Sequence, residues 1–164
     1  MPMLVSGLLA GFVIGFVAGG DWRNLQRLDL KLWPALFAGA VARVVAPFLG
    51  GLALASSIAG LLLVSFVALA NRALPGAWLI AVGSLLNVAV ISINGGMPID
   101  SGALAASGKP APADALHLIS GPETRLAFMG DVLLVPLINN IYSVGDVVLA
   151  IGGFWMAFRL LKQR

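Results

Sequence analysis

The chain has 164 residues, 60% of them hydrophobic and only 10% charged, with a mean hydropathy of +1.00. Soluble domains carry about 25% charged residues, so the composition excludes an ordinary soluble fold and points to an integral membrane protein, a single domain of a few helices of about 20 residues each. The net charge of +3 does not indicate nucleic acid, because the bases are scattered and most stand just beyond apolar runs; the lack of cysteine excludes disulfides, thiol catalysis and thiolate metal sites.

The opening "MPMLVSGLLAGFVIGFVAGG" has no basic stretch of the kind a signal peptide needs and reads as a retained first span over about 3–20. Apolar runs place further spans at about 34–50, 52–70, 76–94 and 142–161, by the length needed to cross hydrocarbon. Small residues in "SGLLAG", "GFVAG" and "AGAVA" allow close helix packing. The connections are "DWRNLQRLDLKLW", a tight turn at Pro47 to Gly51, "NRALPG", and a long segment from about 95 to 140. With five spans, Arg23, Arg27, Lys31, Arg72, Arg159, Lys162 and Arg164 fall on one side, and Lys109 and Arg125 on the other. That bias puts the amino terminus outside and the carboxyl terminus in the cytoplasm.

Within the long outer segment, "SGKPAPADA" reads as a loop from its small, polar and proline residues. The next stretch, "SGPE", fits a capping box of Ser120 and Glu123, predicting a short interfacial or re-entrant helix over about 122–135 that ends at Pro136 and the asparagines beyond it. The expected fold is therefore all-α, an integral membrane bundle of about five transmembrane helices plus that short helix.

Few polar residues interrupt the apolar runs. "SVGD" is a second capping-box pattern, with Ser143 as the cap of the last span and Asp146 near its positive end. Asp131 has no capping role in the expected helix, and a charge in hydrocarbon costs several kcal/mol unless paired or wetted. Its natural partner is Arg43, the only base well inside a span. Ser84, Asn87 and Asn94 share one face of the fourth span and lead into "NGGMPID", where Gly95 and Gly96 permit a tight turn or a close approach to a ligand. His117, the single histidine, follows Asp114 by three residues. A metal there would need Asp100 or Glu123 without any motif, so no metal and no cofactor is expected.

The combination "NGGMPID", a later histidine, "ETRLAFMGDVLLVP" and "YSVGDVVLAIGG" resembles an uncharacterised family of small bacterial multi-pass proteins, known as a domain of unknown function, over essentially the whole chain. That resemblance implies a bacterial membrane protein, expected in the cytoplasmic membrane, and supplies no activity. "YSVGDVVLAIG" is also locally similar to the last motif of lipoprotein signal peptidase, which would make Asp146 a catalytic aspartate with Asp131 as positional stand-in for the other. Here Ser143 replaces that motif's asparagine, Gly145 its alanine, and the Asn-x-x-Asp-Arg motif is missing.

The reading expected from sequence is an outer-face polar site built from Arg43, Asn87, Asn94, Gly95, Gly96, His117, Asp131, Ser143 and Asp146. It would bind or transport a small molecule or lipid headgroup. An aspartate-dependent intramembrane hydrolase with Asp131 and Asp146 as catalytic candidates, and a structural subunit of a homo-oligomer or larger membrane complex, are the alternatives.

Overall fold

The computed structural model describes residues 2–162; Met1, Gln163 and Arg164 lie outside it, and with them one base of the expected cytoplasmic charge bias. The helices are α1 (Pro2–Val17), α2 (Trp33–Val45), α3 (Ala53–Ala70), α4 (Ala77–Asn94), α5 (Ser101–Ser107) and α6 (Val144–Lys162). The strands are β1 (Met97–Ile99), β2 (His117–Ile119), β3 (Asp131–Val135) and β4 (Asn140–Ser143). Three helical stretches, Gly50–Ala70, Ala77–Asn94 and Val144–Lys162, are long and apolar enough to cross a membrane, whereas Met3–Val17 and Trp33–Phe48 are shorter apolar helices. The 16 residues of α1 make a rod of about 24 Å, below the roughly 30 Å of a bilayer's hydrocarbon core.

The long helices form a row in the order α1, α6, α4, α3, α2. Small residues set their spacing. A Cβ on Gly7 or Gly11 would overlap the carbonyls of Ala150 and Phe154, so α1 lies against the backbone of α6. Gly39 and Gly60 bring α2 and α3 together in the same way, each Cβ position lying within 2.9 Å of the other's carbonyl oxygen. In a lipid environment, where hydrophobic burial does not drive helices together, such backbone-close contact supplies the dispersion energy that does. Between α3, α4 and α6, the buried Val64, Ala68, Ile80, Ala81 and Leu149 form one core cluster.

One end of the row carries a cap that departs from the all-α expectation. Its four strands form a mixed sheet in the order β2-β1-β3-β4, with β1 parallel to both β2 and β3, and β3 antiparallel to β4. The helix expected over 122–135 is not formed. Ser120 gives its N–H to Ile99 O at 2.8 Å and so extends the sheet, Gly121 N–H bonds Thr124 Oγ1, and Glu123 is exposed. Leu126 then turns the backbone left-handed at φ 53°, a conformation no α-helix contains. The apolar run "DVLLV" that follows is only five residues long, a length at which periodicity does not separate strand from helix. Strand pairing on both sides decides for the strand. "SGKPAPADA" is a loop from Gly108 onward, its first serine closing α5.

Because α1 meets α6 through glycine, Gly7→Ala should lower the thermal midpoint of the detergent-solubilised protein even though alanine is the better helix former; overpacking of this kind costs about 1–3 kcal/mol. Gly51→Ala, at a position with nothing within 4 Å of the added Cβ, should leave it unchanged. Equal midpoints for the two variants would show that α1 does not seat on α6 as described.

Candidate functional site

Strand β4 runs straight into α6 at Ser143 and Val144, which puts a cap residue in the sheet. Ser143 Oγ accepts the N–H of Asp146 at 3.0 Å, the capping bond the sequence leads one to expect. The same hydroxyl donates to Asn87 Oδ1 at 2.8 Å, and Asn87 Nδ2 donates to Asp146 Oδ1 at 3.1 Å. The ring is closed: α4, β4 and the first turn of α6 hold one another through three polar groups. Gly145 makes it possible, because a Cβ there would overlap Asn87 Oδ1 and stand 2.7 Å from Gly83 O. Alanine, the residue of the signal-peptidase motif, does not fit at this position without a shift of α4.

Asp131 is not in a helix. It opens β3, pairs with Ile99 of β1 and Ser143 of β4, and is followed by a register irregularity before Leu133; such bulges re-aim side chains beside functional sites. It is only 8% exposed. Burial, and next the Asp146 carboxylate, push its acid constant up to about 7 against the opposing influence of Arg43. His117, at the start of β2, presents Nε2 at 3.9 Å from Asp131 Oδ2. Its Nδ1 lies 2.8 Å and 3.0 Å from the two carboxylate oxygens of Asp114. A carboxylate only accepts, so Nδ1 carries hydrogen and Nε2 of the neutral ring is left as an acceptor facing Asp131. The Asp114 carboxyl, despite some burial, is held below its usual range by these hydrogen bonds.

These groups meet at a cavity of about 900 Å³ between the cap and the helices, lined by Arg43, His117, Asp131, Asp146 and Tyr142 with apolar sides that include Val5 and Val44. A chamber of about 50 Å³ at the same polar cluster adds Ser57 and Asn87 to its wall. Arg43 bonds Ser57 Oγ through Nη1, while its buried Nε has no partner. The expected Arg43–Asp131 ion pair is thus not a direct contact: both face the chamber, and the guanidinium turns to a serine.

Of the residues expected at the site, Arg43, Asn87, His117, Asp131 and Asp146 line the chamber, and Ser143 stands behind Asn87. Three lie elsewhere. Asn94 fastens the cap, its side chain accepting Arg125 N–H and donating to Arg125 O, both at 2.9 Å. Gly95 ends α4 in the left-handed region at φ 70°, and Gly96 packs beneath Leu116 and Leu118. Ser84 is fully buried, so the polar stripe on α4 divides between core, site and cap. Sequence reading missed Ser57, whose role appears only once α2 and α3 are paired, and gave Asp114 no role at the site. Its spacing of three from His117 was the signal for a hydrogen-bonded pair. Among the described residues, no three of His, Asp or Glu are placed to hold a metal.

The raised constant of Asp131 has a sign. A carboxyl whose folded-state value is about 7 against an ordinary 3.8 contributes stability that is full below about pH 4 and lost as the pH rises to about 7. Asparagine imitates the neutral form, so Asp131→Asn should flatten the fall of the thermal midpoint across that window. Parallel pH profiles for the two proteins would refute the burial of Asp131.

Neither a curated protein nor a solved structure is significantly similar to the chain. Residues 27–158, most of its length, match DUF5317, a family of unknown function, and the chain belongs to that family.

Proposed function

We infer that the protein crosses a bacterial cytoplasmic membrane five times and binds a small molecule or lipid headgroup at a polar site on its outer face, as a step in that ligand's transport or transfer. The observation that carries this reading is the cavity of about 900 Å³ with Arg43, His117, Asp131 and Asp146 in its wall. Its size suits a small ligand, and ionisable groups at membrane depth commonly mark ligand paths. Helix directions support the crossings. The cap joins the end of α4 to the start of α6, and α1 and α6 run parallel, Gly7 beside Ala150 and Gly15 beside Phe158. Successive long helices therefore alternate in direction. Arg23, Lys31, Arg72 and Arg159 stand at the end away from the cap, which favours a cytoplasmic location for that end. Short α1 and α2 are accommodated by local thinning of the bilayer.

A second reading, an aspartate-dependent hydrolase, is favoured by one observation: Asp131 is held as an acid near neutrality beside Asp146. One protonated and one ionised carboxyl are the pair needed to activate water. A purely structural subunit is the least favoured, since Arg43 leaves Nε without a partner where a scaffold would pair it.

Single cysteines at Ala106 in α5 and Ala73 in the turn between α3 and α4, both exposed, test the topology in a chain without cysteine of its own. An impermeant maleimide should label Ala106→Cys on intact cells and Ala73→Cys only after permeabilisation; labelling of both from outside would remove the five-crossing arrangement.

Native mass spectrometry of protein released from membranes tests the site. Wild type should retain a bound non-protein mass that Asp146→Ala loses, while Asp131→Asn, which keeps a neutral hydrogen-bonding group, retains it. Equal occupancy in wild type and Asp146→Ala would reject the binding site. Accumulation of an uncleaved ligand in both Asp131→Asn and Asp146→Asn, with folds intact, would replace binding by hydrolysis.

A further inference from the structure

The walls of the cavity combine charged and apolar groups. Arg43, His117, Asp131 and Asp146, with Lys109 and Asp114 of the loop after α5, supply its charged groups, whereas Val5 of α1, Val44 at the end of α2 and Pro47 in the turn beyond it are apolar. These two helices are the opposite ends of the row: α1 packs along α6, α2 along α3, and the pair share no extended interface among the described residues. Since both nevertheless line one cavity, the row curves, and the cavity occupies the gap between its ends. Val5 is 52% and Val44 65% exposed. The apolar surface continues along both helices away from the cap, through Leu9 on α1 and through Val41 and Phe37 on α2.

The cap carries a further apolar feature. The turn between β3 and β4 places Leu137 95% exposed and Ile138 next to it, a few residues before Asn140 and Ile141 in the cavity wall. An apolar turn so exposed is unfavourable in water and is at rest in the boundary region of a bilayer.

We propose that the ligand of this cavity is a phosphate-bearing amphiphile drawn from the surrounding bilayer, which passes sideways between α1 and α2 and keeps its acyl chain among lipid while its headgroup reaches Arg43 and Asp146. This rests on the membrane-embedded binding site inferred above and adds the ligand's source, class and route. The headgroup chemistry follows from the free valences. Arg43 Nε offers a donor without a partner, which a phosphate oxygen satisfies, and charge assistance makes such a bond strong. Asp146 uses Oδ1 for Asn87 and leaves its other oxygen to accept from a hydroxyl or ammonium group. Asp131, when protonated, both donates and accepts. A water-borne solute could answer these groups but would leave Val5, Val44 and the Leu137 turn facing solvent; a lipid answers both sets at once.

The test uses the full chain in nanodiscs of phosphatidylethanolamine containing a fraction with a diazirine on one acyl chain. After illumination, adducts should appear on Leu104, which belongs to the cap and lines the cavity, besides the general lipid contacts at Phe66 and Trp78, both exposed on the helix row. Val44→Trp should abolish the Leu104 adducts and spare those at Phe66 and Trp78; Val5→Trp closes the gap from its other side and serves if the first variant folds poorly. Adducts on Phe66 and Trp78 but none on Leu104, with Leu104→Cys open to an impermeant maleimide, would overturn the lipid route and leave a site for a water-borne ligand. If neither probe reaches residue 104, the cavity is closed and the binding site falls with the proposal. Photo-crosslinks joining Val5 and Val44 of two copies would also overturn it, by filling the gap with protein.

Discussion

The hydrogen-bonded ring of Asp146 N–H to Ser143, Ser143 to Asn87 and Asn87 back to the Asp146 carboxylate is the constraint on which the rest of the site depends. It joins a helix end, a strand end and the middle of a neighbouring helix in surroundings where an unpaired polar group costs several kcal/mol. None of the three can move alone. The sheet is thereby fixed over the mouth of the helix row, and β3, paired to β4 at Asp131 and Ser143, delivers Asp131 to the same chamber.

Electrostatics inside this frame are unequal by design of the surroundings rather than by residue type. Asp146 has a hydrogen-bond donor on one oxygen and sits in the first turn of a helix, where the dipole favours negative charge. Asp131 has neither advantage: it is buried in a strand, and the Asp146 charge raises the cost of a second one. Two aspartates in one chamber therefore stand in unlike surroundings, and it is Asp131 whose ionisation the burial opposes. His117, held by Asp114, presents its second nitrogen toward Asp131 and connects a buried group to a half-exposed one.

The helix row supports this arrangement by leaving something open. Glycine contacts bind α1 to α6 and α2 to α3 so closely that each end helix is satisfied by one neighbour. Neither needs the other, and the space between them holds the cavity. A closed five-helix ring would have placed α1 against α2 and left no gap between them.

Read alone, the sequence determined what composition and short-range pattern can determine: an apolar chain, helical runs near their observed places, small residues where helices meet, and Ser143 as the cap of α6. It also marked Arg43, Asn87, His117, Asp131 and Asp146 as costly residues that need a reason. Only the tertiary structure decided that residues 131–135 are a strand, because five apolar residues carry no decisive period and their hydrogen bonds go to β1 and β4, distant in sequence. It alone gave Arg43 to Ser57 instead of Asp131, and Asn94 to the backbone of Arg125. Pairings of this kind depend on which helix lies beside which and at what rotation, a quantity set by packing across the whole row and written in no single stretch of the chain.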